Sequence, residues 1–242
     1  MRSVVVLPTY NEAENIEPFL RAVRDASPTT EILVVDDNSP DGTGALADAA
    51  AAELGQIEVL HRPGKQGLGS AYREGFSRVL DHNYDVIISM DADFSHDPTR
   101  IPEFIQCIDD GADIVIGSRY VTGGGTTDWP IHRQLLSRWG NAYTRSILGV
   151  PARDCTSGYR AYRASSLAAI DPTKTSAEGY AFLTELVLKL SREGASVVEL
   201  PIIFRDRTRA TSKIPGRIIV ESMLLVTRWG VSDRVKRVTG RR

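Results

Sequence analysis

The 242 residues carry 29 Lys and Arg against 31 Asp and Glu, a formal net charge of −2, which argues against nucleic-acid binding through the whole surface. With 42% hydrophobic and 25% charged residues, the chain has the statistics of a globular protein able to bury one large core. Cys107 and Cys155 form neither a Cys-x-x-Cys pair nor a zinc spacing with the four histidines, so a zinc module and a disulfide scaffold are excluded and buried thiols are expected.

Residues 4–7 are the first apolar run. Met1-Arg2-Ser3 leads straight into it, and it is too short for a secretory leader. Further runs at 32–35, 57–60, 86–90 and 114–117 read as strands. Residues 45–54 and 70–80 have helical length and composition, and 101–108 follows Pro98 and contains Pro102 as a helix start does. This βαβαβ rhythm predicts an α/β fold, a mostly parallel sheet covered by helices on both faces. Ligands of such sheets bind beyond the carboxyl ends of the strands, where the strand order reverses.

The polar residues gather at those ends. The first strand runs into Pro8-Thr9-Tyr10-Asn11-Glu12, the second into Asp36-Asp37-Asn38-Ser39-Pro40-Asp41-Gly42-Thr43, the fourth into Asp91-Ala92-Asp93 and the fifth into Ser118-Arg119. Each loop alone fits turn chemistry, but four at one edge point to a site. Asp91 and Asp93 are the most informative pair. Two carboxylates at a strand end suit Mg²⁺ or Mn²⁺, which keep waters and share substrate phosphate oxygens. Asp in turns and at helix N-caps is the alternative.

Residues 123–130 form a glycine-rich segment of the kind found in lids. In 133–148, Leu135, Leu136, Trp139, Tyr143 and Ile147 make an apolar stripe beside Arg133, Arg138 and Arg145, which fits a core-facing helix and a membrane-surface helix alike. Near the C-terminus, residues 218–229 form an apolar stretch followed by a basic tail, read as an amphipathic helix beside either solvent or an anionic bilayer. The chain nowhere offers the ~20 uninterrupted apolar residues of a spanning helix.

Together these blocks resemble the family 2 glycosyltransferases, and within them the dolichol- or polyprenol-phosphate mannosyltransferases. The resemblance rests on the loops above, on Lys65-Gln66-Gly67-Leu68-Gly69, Gly117-Ser118-Arg119-Tyr120 and Asp154-Cys155-Thr156-Ser157-Gly158-Tyr159-Arg160, and on Phe204-x-x-Arg207-x-x-Ala210-x-Ser212-Lys213. It implies a GT-A type, Rossmann-like nucleotide-diphospho-sugar transferase fold over 1–213, with a nucleotide-sugar half (1–120), an acceptor half (121–213) and a C-terminal helix and tail (214–242). Pro8, Tyr10, Glu12, Val35 and Asp37 would hold the nucleoside. Asp91 and Asp93 would hold the metal and diphosphate, with Ala92 acting through its backbone and Ser95 as a nearby ligand or water contact. Arg119, Arg133, Arg207 and Lys213 would neutralise phosphate charge, the arginines in bidentate fashion. Ala210 stands where relatives commonly have Gly, and Ser95 where some have Gln.

The implied reaction moves mannose from GDP-mannose to a polyprenyl or dolichyl phosphate with inversion. The alternatives are another donor such as UDP-glucose, or a nucleotide-sugar-binding module without catalysis. A lipid monophosphate has a second ionisation near pKa ~6, so it is largely a dianion at neutral pH and needs no strong base. Asp154 is a candidate base or acceptor-orienting group, or else a structural brace. A prenyl chain stays in the bilayer, so a peripheral place on the cytoplasmic face of a membrane is expected, docked by the two helices and the tail with a membrane protein as a further partner. An aspartyl-phosphate phosphatase and a sugar-nucleotide pyrophosphorylase are rivals. The first looks like Asp-x-Asp-x-Thr after strand one and the second like Gly-x-Gly-Thr-Arg there, and neither matches.

Overall fold

The computed structural model describes residues 1–205 and 216–239. The five expected strands are β1 (Ser3–Thr9), β2 (Glu31–Asp36), β3 (Ile57–His61), β4 (Val86–Ser89) and β5 (Ile114–Ser118). The chain adds β6 (Gly125–Thr127), β7 (Arg160–Arg163), β8 (Val197–Pro201) and β9 (Ile203–Arg205). Seven strands form one sheet in the order β3-β2-β1-β4-β7-β5-β8, and β6 pairs with β9 apart from it. Strand pairs within the large sheet are parallel except those made by β7, which runs antiparallel to both β4 and β5.

Alternation along the strands gives the sheet two apolar faces. Val4 and Val6 of β1 belong to one core cluster and Val5 and Leu7 to the other. On the first face lie Tyr72 and Phe76 of α3 (Leu68–Leu80) with Phe182 and Leu186 of α7 (Gly179–Arg192). On the second lie Phe19 and Leu20 of α1 (Ile16–Ala26), Ala47 of α2 (Thr43–Leu54) and Phe104 of α4 (Ile101–Asp109). Helix α1 lies outside the expected helices, although its Ile16, Phe19, Leu20 and Val23 are buried at helical spacing. Pro18 sits in its first turn, where a missing N–H leaves no helical bond unmade.

Beyond β5, α5 (Ile131–Leu148) matches the expected helix, α6 (Ala164–Ala169) is short, and α8 (Gly216–Thr239) is the C-terminal helix. Helix α8 lies against α5. The Tyr143 and Thr227 hydroxyls meet at 2.7 Å, and a Cβ added at Gly230 would fall 2.5 Å from Ile147 Cγ2. Val226 is buried there, while Leu224, Val231 and Val235 are exposed. Apolar residues thus occupy both the packed and the outward faces of α8, unlike the single stripe expected of an amphipathic helix. No described helix is long and apolar enough to cross a membrane. The expected boundary after residue 213, with Arg207 and Lys213, lies outside the described residues.

Helix α3 reaches the sheet closely because Gly75 has no side chain. A Cβ there would sit 2.6 Å from Val6 Cγ1 and 3.0 Å from Val35 Cγ2. Gly75→Val should therefore lower stability by about 1–3 kcal/mol despite removing a helix-interior glycine. Urea unfolding of the two proteins checks this.

Candidate active site

Strand order reverses between β1 and β4, because the chain steps outward through β2 and β3 before returning to the other side of β1. The loops after β1, β2 and β4 open at that reversal. Their tight turns use left-handed residues at Asn11, Asn38 and Phe94, with φ of 59°, 56° and 60°. Asn tolerates this region well, while Phe rarely occupies it.

The β1 and β2 loops brace each other. Thr9 and Ser39 hydroxyls donate to Asp36, the Asn11 and Glu12 N–H groups donate to Ser39 and Thr43, and Asp41 accepts from Ala13 and Thr43. Pro8 pairs in register with Val35, whose side chain is wholly buried in the core, so Val35 offers the crevice only backbone. Tyr10 lies under Lys65, whose Nζ is 3.8 Å from the ring centroid. Glu12 accepts from Asn15 at 2.8 Å. Asp37 is buried and heavily engaged. It accepts from the Arg62 guanidinium and from the Gln66 and Gly67 N–H groups at 3.0–3.1 Å. The carboxylate thereby fixes the loop before α3, a function of Arg62 that no sequence pattern announces.

At the end of β4, Asp91 borders a cavity of about 210 Å³ with His96, Arg119 and Arg133. The Asp91 N–H donates to His96 Nδ1 at 3.0 Å, and the buried His96 ring stacks on Tyr159 and meets Phe204 edge-on. Ala92 is buried in the core. Asp93 Oδ1 accepts from the Ser95 N–H at 3.0 Å, the turn bond that the alternative reading of this motif expects. The Ser95 hydroxyl is buried and has no hydrogen-bond partner among the described residues. Among the described residues no three His, Cys, Asp or Glu side chains form a ligand set. Asp91, Asp93 and Ser95 offer only oxygen donors, and that donor chemistry fits Mg²⁺ or Mn²⁺.

Because β7 is antiparallel, it delivers the residues before it, Asp154 to Tyr159, to the same edge as the ends of β4 and β5. Arg119, just after β5, meets Asp154 there. Its Nε and Nη2 donate to the two carboxylate oxygens at 2.7 Å each, and its backbone N–H donates at 3.0 Å. Both side chains are buried. Burial pushes the Asp154 carboxyl up, but the Arg119 charge and its hydrogen bonds outweigh burial and hold it below the usual carboxylate range. Asp154 is thus an ionised partner that aims a guanidinium, which is the bracing role among the alternatives its sequence context leaves open. The Arg119 guanidinium also lies 5.4 Å from the Trp129 ring and 5.6 Å from Phe204, while Arg133 lies 4.0 Å over Trp129.

The turn before β7 is stapled by Arg160, fully buried, whose guanidinium donates to the carbonyls of Ser157, Cys155 and Leu183 at 2.6–2.7 Å. Burial lifts the Cys155 thiol to about 12, which makes it a packing group, not a nucleophile. Gly158 keeps the wall beside Asp91 thin, since a Cβ there would lie 3.4 Å from Asp91 Oδ1. Apolar side chains also line the cavity, Leu136 of α5 and Met223 and Val226 of α8 among them. His96 and Trp129 escape the sequence reading as site residues because each stands alone among turn residues, without periodicity or partner spacing. Asp91, Arg119 and Arg133 are brought together, and the nucleoside candidates line the neighbouring β1–β2 edge.

Residues 4–171 match the family described as Glycosyl transferase family 2. The chain belongs to this family. Family members of high similarity include a polyprenol monophosphomannose synthase of Mycolicibacterium smegmatis, 46% identical over 99% of this chain and 91% of that one. An undecaprenyl-phosphate mannosyltransferase of Micrococcus luteus is 46% identical over 97% of this chain and 96% of its own. Among solved structures, a mannosyltransferase of Pyrobaculum calidifontis in complex with GDP-Man and Mn²⁺ shares the fold with a TM-score of 0.65 at 16% identity, over 97% of this chain and 64% of that one. The family membership and fold agree with the expected GT-A glycosyltransferase.

Asp154→Asn should cost about 3–5 kcal/mol at neutral pH, because it leaves a buried guanidinium without its counter-charge. The sign follows from the depressed carboxyl: its stabilisation is present above the unfolded carboxylate value of about 3.9 and is lost as pH falls through the lower folded value. Urea midpoints measured from neutral pH downward should show the gap between the two proteins closing below about pH 4.

Proposed function

We propose that this protein transfers mannose from GDP-mannose to a polyprenyl monophosphate, giving the polyprenyl-phosphate sugar with inversion at the anomeric carbon. The observation that carries the reading is one cavity lined both by the charged side chains of Asp91, Arg119 and Arg133 and by the apolar ones of Leu136, Met223 and Val226. An acceptor joining a phosphate to a prenyl chain combines the same polar and apolar parts. The names of the two 46% identical relatives support the acceptor and the sugar, and the solved mannosyltransferase of the same fold supports GDP-mannose as donor and a divalent cation.

In this reading the β1–β2 edge, with Pro8, Tyr10, Glu12, Val35 and Asp37, receives the nucleoside, and residues 121–213 receive the acceptor. Asp91 and Asp93, with Ser95 beside them, would hold Mg²⁺ or Mn²⁺, which would neutralise charge on the leaving nucleoside diphosphate when bound. Arg119, oriented by Asp154, and Arg133, stacked on Trp129, hold the acceptor phosphate. Its dianion attacks in line, so catalysis comes from position and charge and requires no general base. Arg207 and Lys213 complete the phosphate-binding set.

The same combination supports a peripheral place on the cytoplasmic face of a membrane, since the prenyl chain must stay in the bilayer. Helices α5 and α8, which wall the cavity, expose Leu135, Trp139, Leu224 and Val231, the kind of surface that enters an interface.

Purified protein offered GDP-mannose, UDP-glucose or UDP-GlcNAc with a short polyprenyl phosphate and Mg²⁺ or Mn²⁺ should carry sugar into the organic phase fastest from GDP-mannose. A faster glucose transfer would replace the donor. Asp93→Asn should cut transfer at least about a hundredfold with an unchanged circular dichroism spectrum. Transfer that survives both this substitution and EDTA would remove the cation from the mechanism.

A further inference from the structure

Helix α5 separates two cavities of different chemistry. Arg133, Gly140 and Thr144 face the catalytic cavity. Another flank of the helix carries Arg138, Ala142 and Arg145, which together with Arg153 and Arg119 line an open cleft of about 330 Å³. No acidic residue lines that cleft. Arginines elsewhere, such as Arg21, Arg62, Arg78 and Arg192, hold carboxylates, whereas Arg138, Arg145 and Arg153 hold none among the described residues. The nearest acidic neighbour by bonding, Glu199, accepts the backbone N–H groups of Arg153 and Asp154, not a guanidinium. Guanidiniums that share a cleft repel each other, and they suit a phosphate because each offers a planar pair of donors.

We propose that this cleft binds the phosphate group of an anionic membrane lipid, which rests on the peripheral placement proposed above. The observation that selects a lipid over a free anion is the apolar stripe that adjoins the cleft on the same helix. Ile131, Leu135 and Trp139 recur at four-residue spacing and are 75%, 60% and 52% exposed. Arg138 and Ala142 lie between that stripe and the rest of the cleft, one step around the helix. A soluble phosphate has no use for such a stripe, while a lipid brings phosphate and acyl chain together. Tryptophan at the boundary of apolar and charged surface is the pattern of an interfacial helix. The lipid bound here is distinct from the acceptor, whose phosphate meets Arg119 and Arg133 in the other cavity. Its effect is to hold the crevice mouth at the bilayer in one orientation.

The test is sedimentation of the full chain with phosphatidylcholine vesicles, with and without phosphatidylglycerol. It compares wild type, the triple variant Arg138→Gln/Arg145→Gln/Arg153→Gln, and Leu135→Ser/Trp139→Ser. Each basic residue near an anionic surface contributes ~1 kcal/mol, about fivefold, so the triple variant should lose roughly a hundredfold in partitioning to anionic vesicles. It should bind neutral vesicles as wild type does, and it should transfer mannose to a short soluble polyprenyl phosphate at the wild-type rate, since none of the three lines the catalytic cavity. The single substitutions should each cost about fivefold. The apolar variant should lose binding to both kinds of vesicle. Wild-type partitioning by the triple variant, or an equal loss on both vesicle types, overturns the site. Glycerol phosphate that displaces wild type from anionic vesicles but not the triple variant, at concentrations too low to screen charge, overturns the lipid as occupant. Wild type that binds no vesicle sinks the membrane placement itself, and the lipid with it.

Discussion

The buried ion pair of Arg119 and Asp154 is the constraint on which the crevice depends. It joins the end of β5 to the turn before β7, two segments brought together only by the antiparallel insertion of β7. A buried pair of this kind contributes little to net stability compared with an apolar pair of the same shape, because desolvation offsets most of the attraction. Its value is directional. Three bonds from one residue to one carboxylate leave the guanidinium a single orientation, with an aromatic wall of Trp129 and Phe204 beside it. Arg160 repeats the device with three carbonyls in place of a carboxylate, and so holds the turn that carries Asp154.

Much of the scaffold is legible in the chain. Five short runs of four or five residues correspond to β1 to β5, and α2, α3 and α4 follow from helical length and composition, with Pro98 and Pro102 marking the start of α4, whereas α1 does not. Parallel strands buried on both faces, as Val4–Leu7 of β1 and Ile32–Val35 of β2 are, announce themselves as uninterrupted apolar runs. The Asp91–Asp93 loop and Arg119 stand out in the chain as polar residues at strand ends, while Arg133 enters only through the family resemblance; the structure sets Asp91, Arg119 and Arg133 around one cavity. Strand β7 was not legible. Its Arg-Ala-Tyr-Arg sequence begins and ends in charge, and the buried Arg160 is satisfied by backbone carbonyls, those of Ser157 and Cys155 nearby and that of Leu183 from another element. No local pattern encodes that.

The same limit explains Asp154 and Asp37. As residue types they suggest a base or a ribose contact, and their actual partners, Arg119 in one case and Arg62 with two loop amides in the other, come from other strands. A carboxylate's function is set by what faces it, and facing is a property of strand order. His96 is the converse case. A lone histidine in a turn carries no signal until the fold sets it under the Asp91 amide.

The insertion of β7 also dictates the order in which the molecule can be assembled. Strands β1 to β4 find their neighbours within the first ninety residues, but the β4 edge must wait for residues 160–163, some seventy positions later, before it is covered. Such distant pairing is entropically late. A chain emerging from synthesis therefore builds the β3-β2-β1-β4 half of the sheet while the wall that carries Arg119, Thr156 and Ser157 is still unmade, and the cavity these residues line takes shape only once the whole sheet has closed.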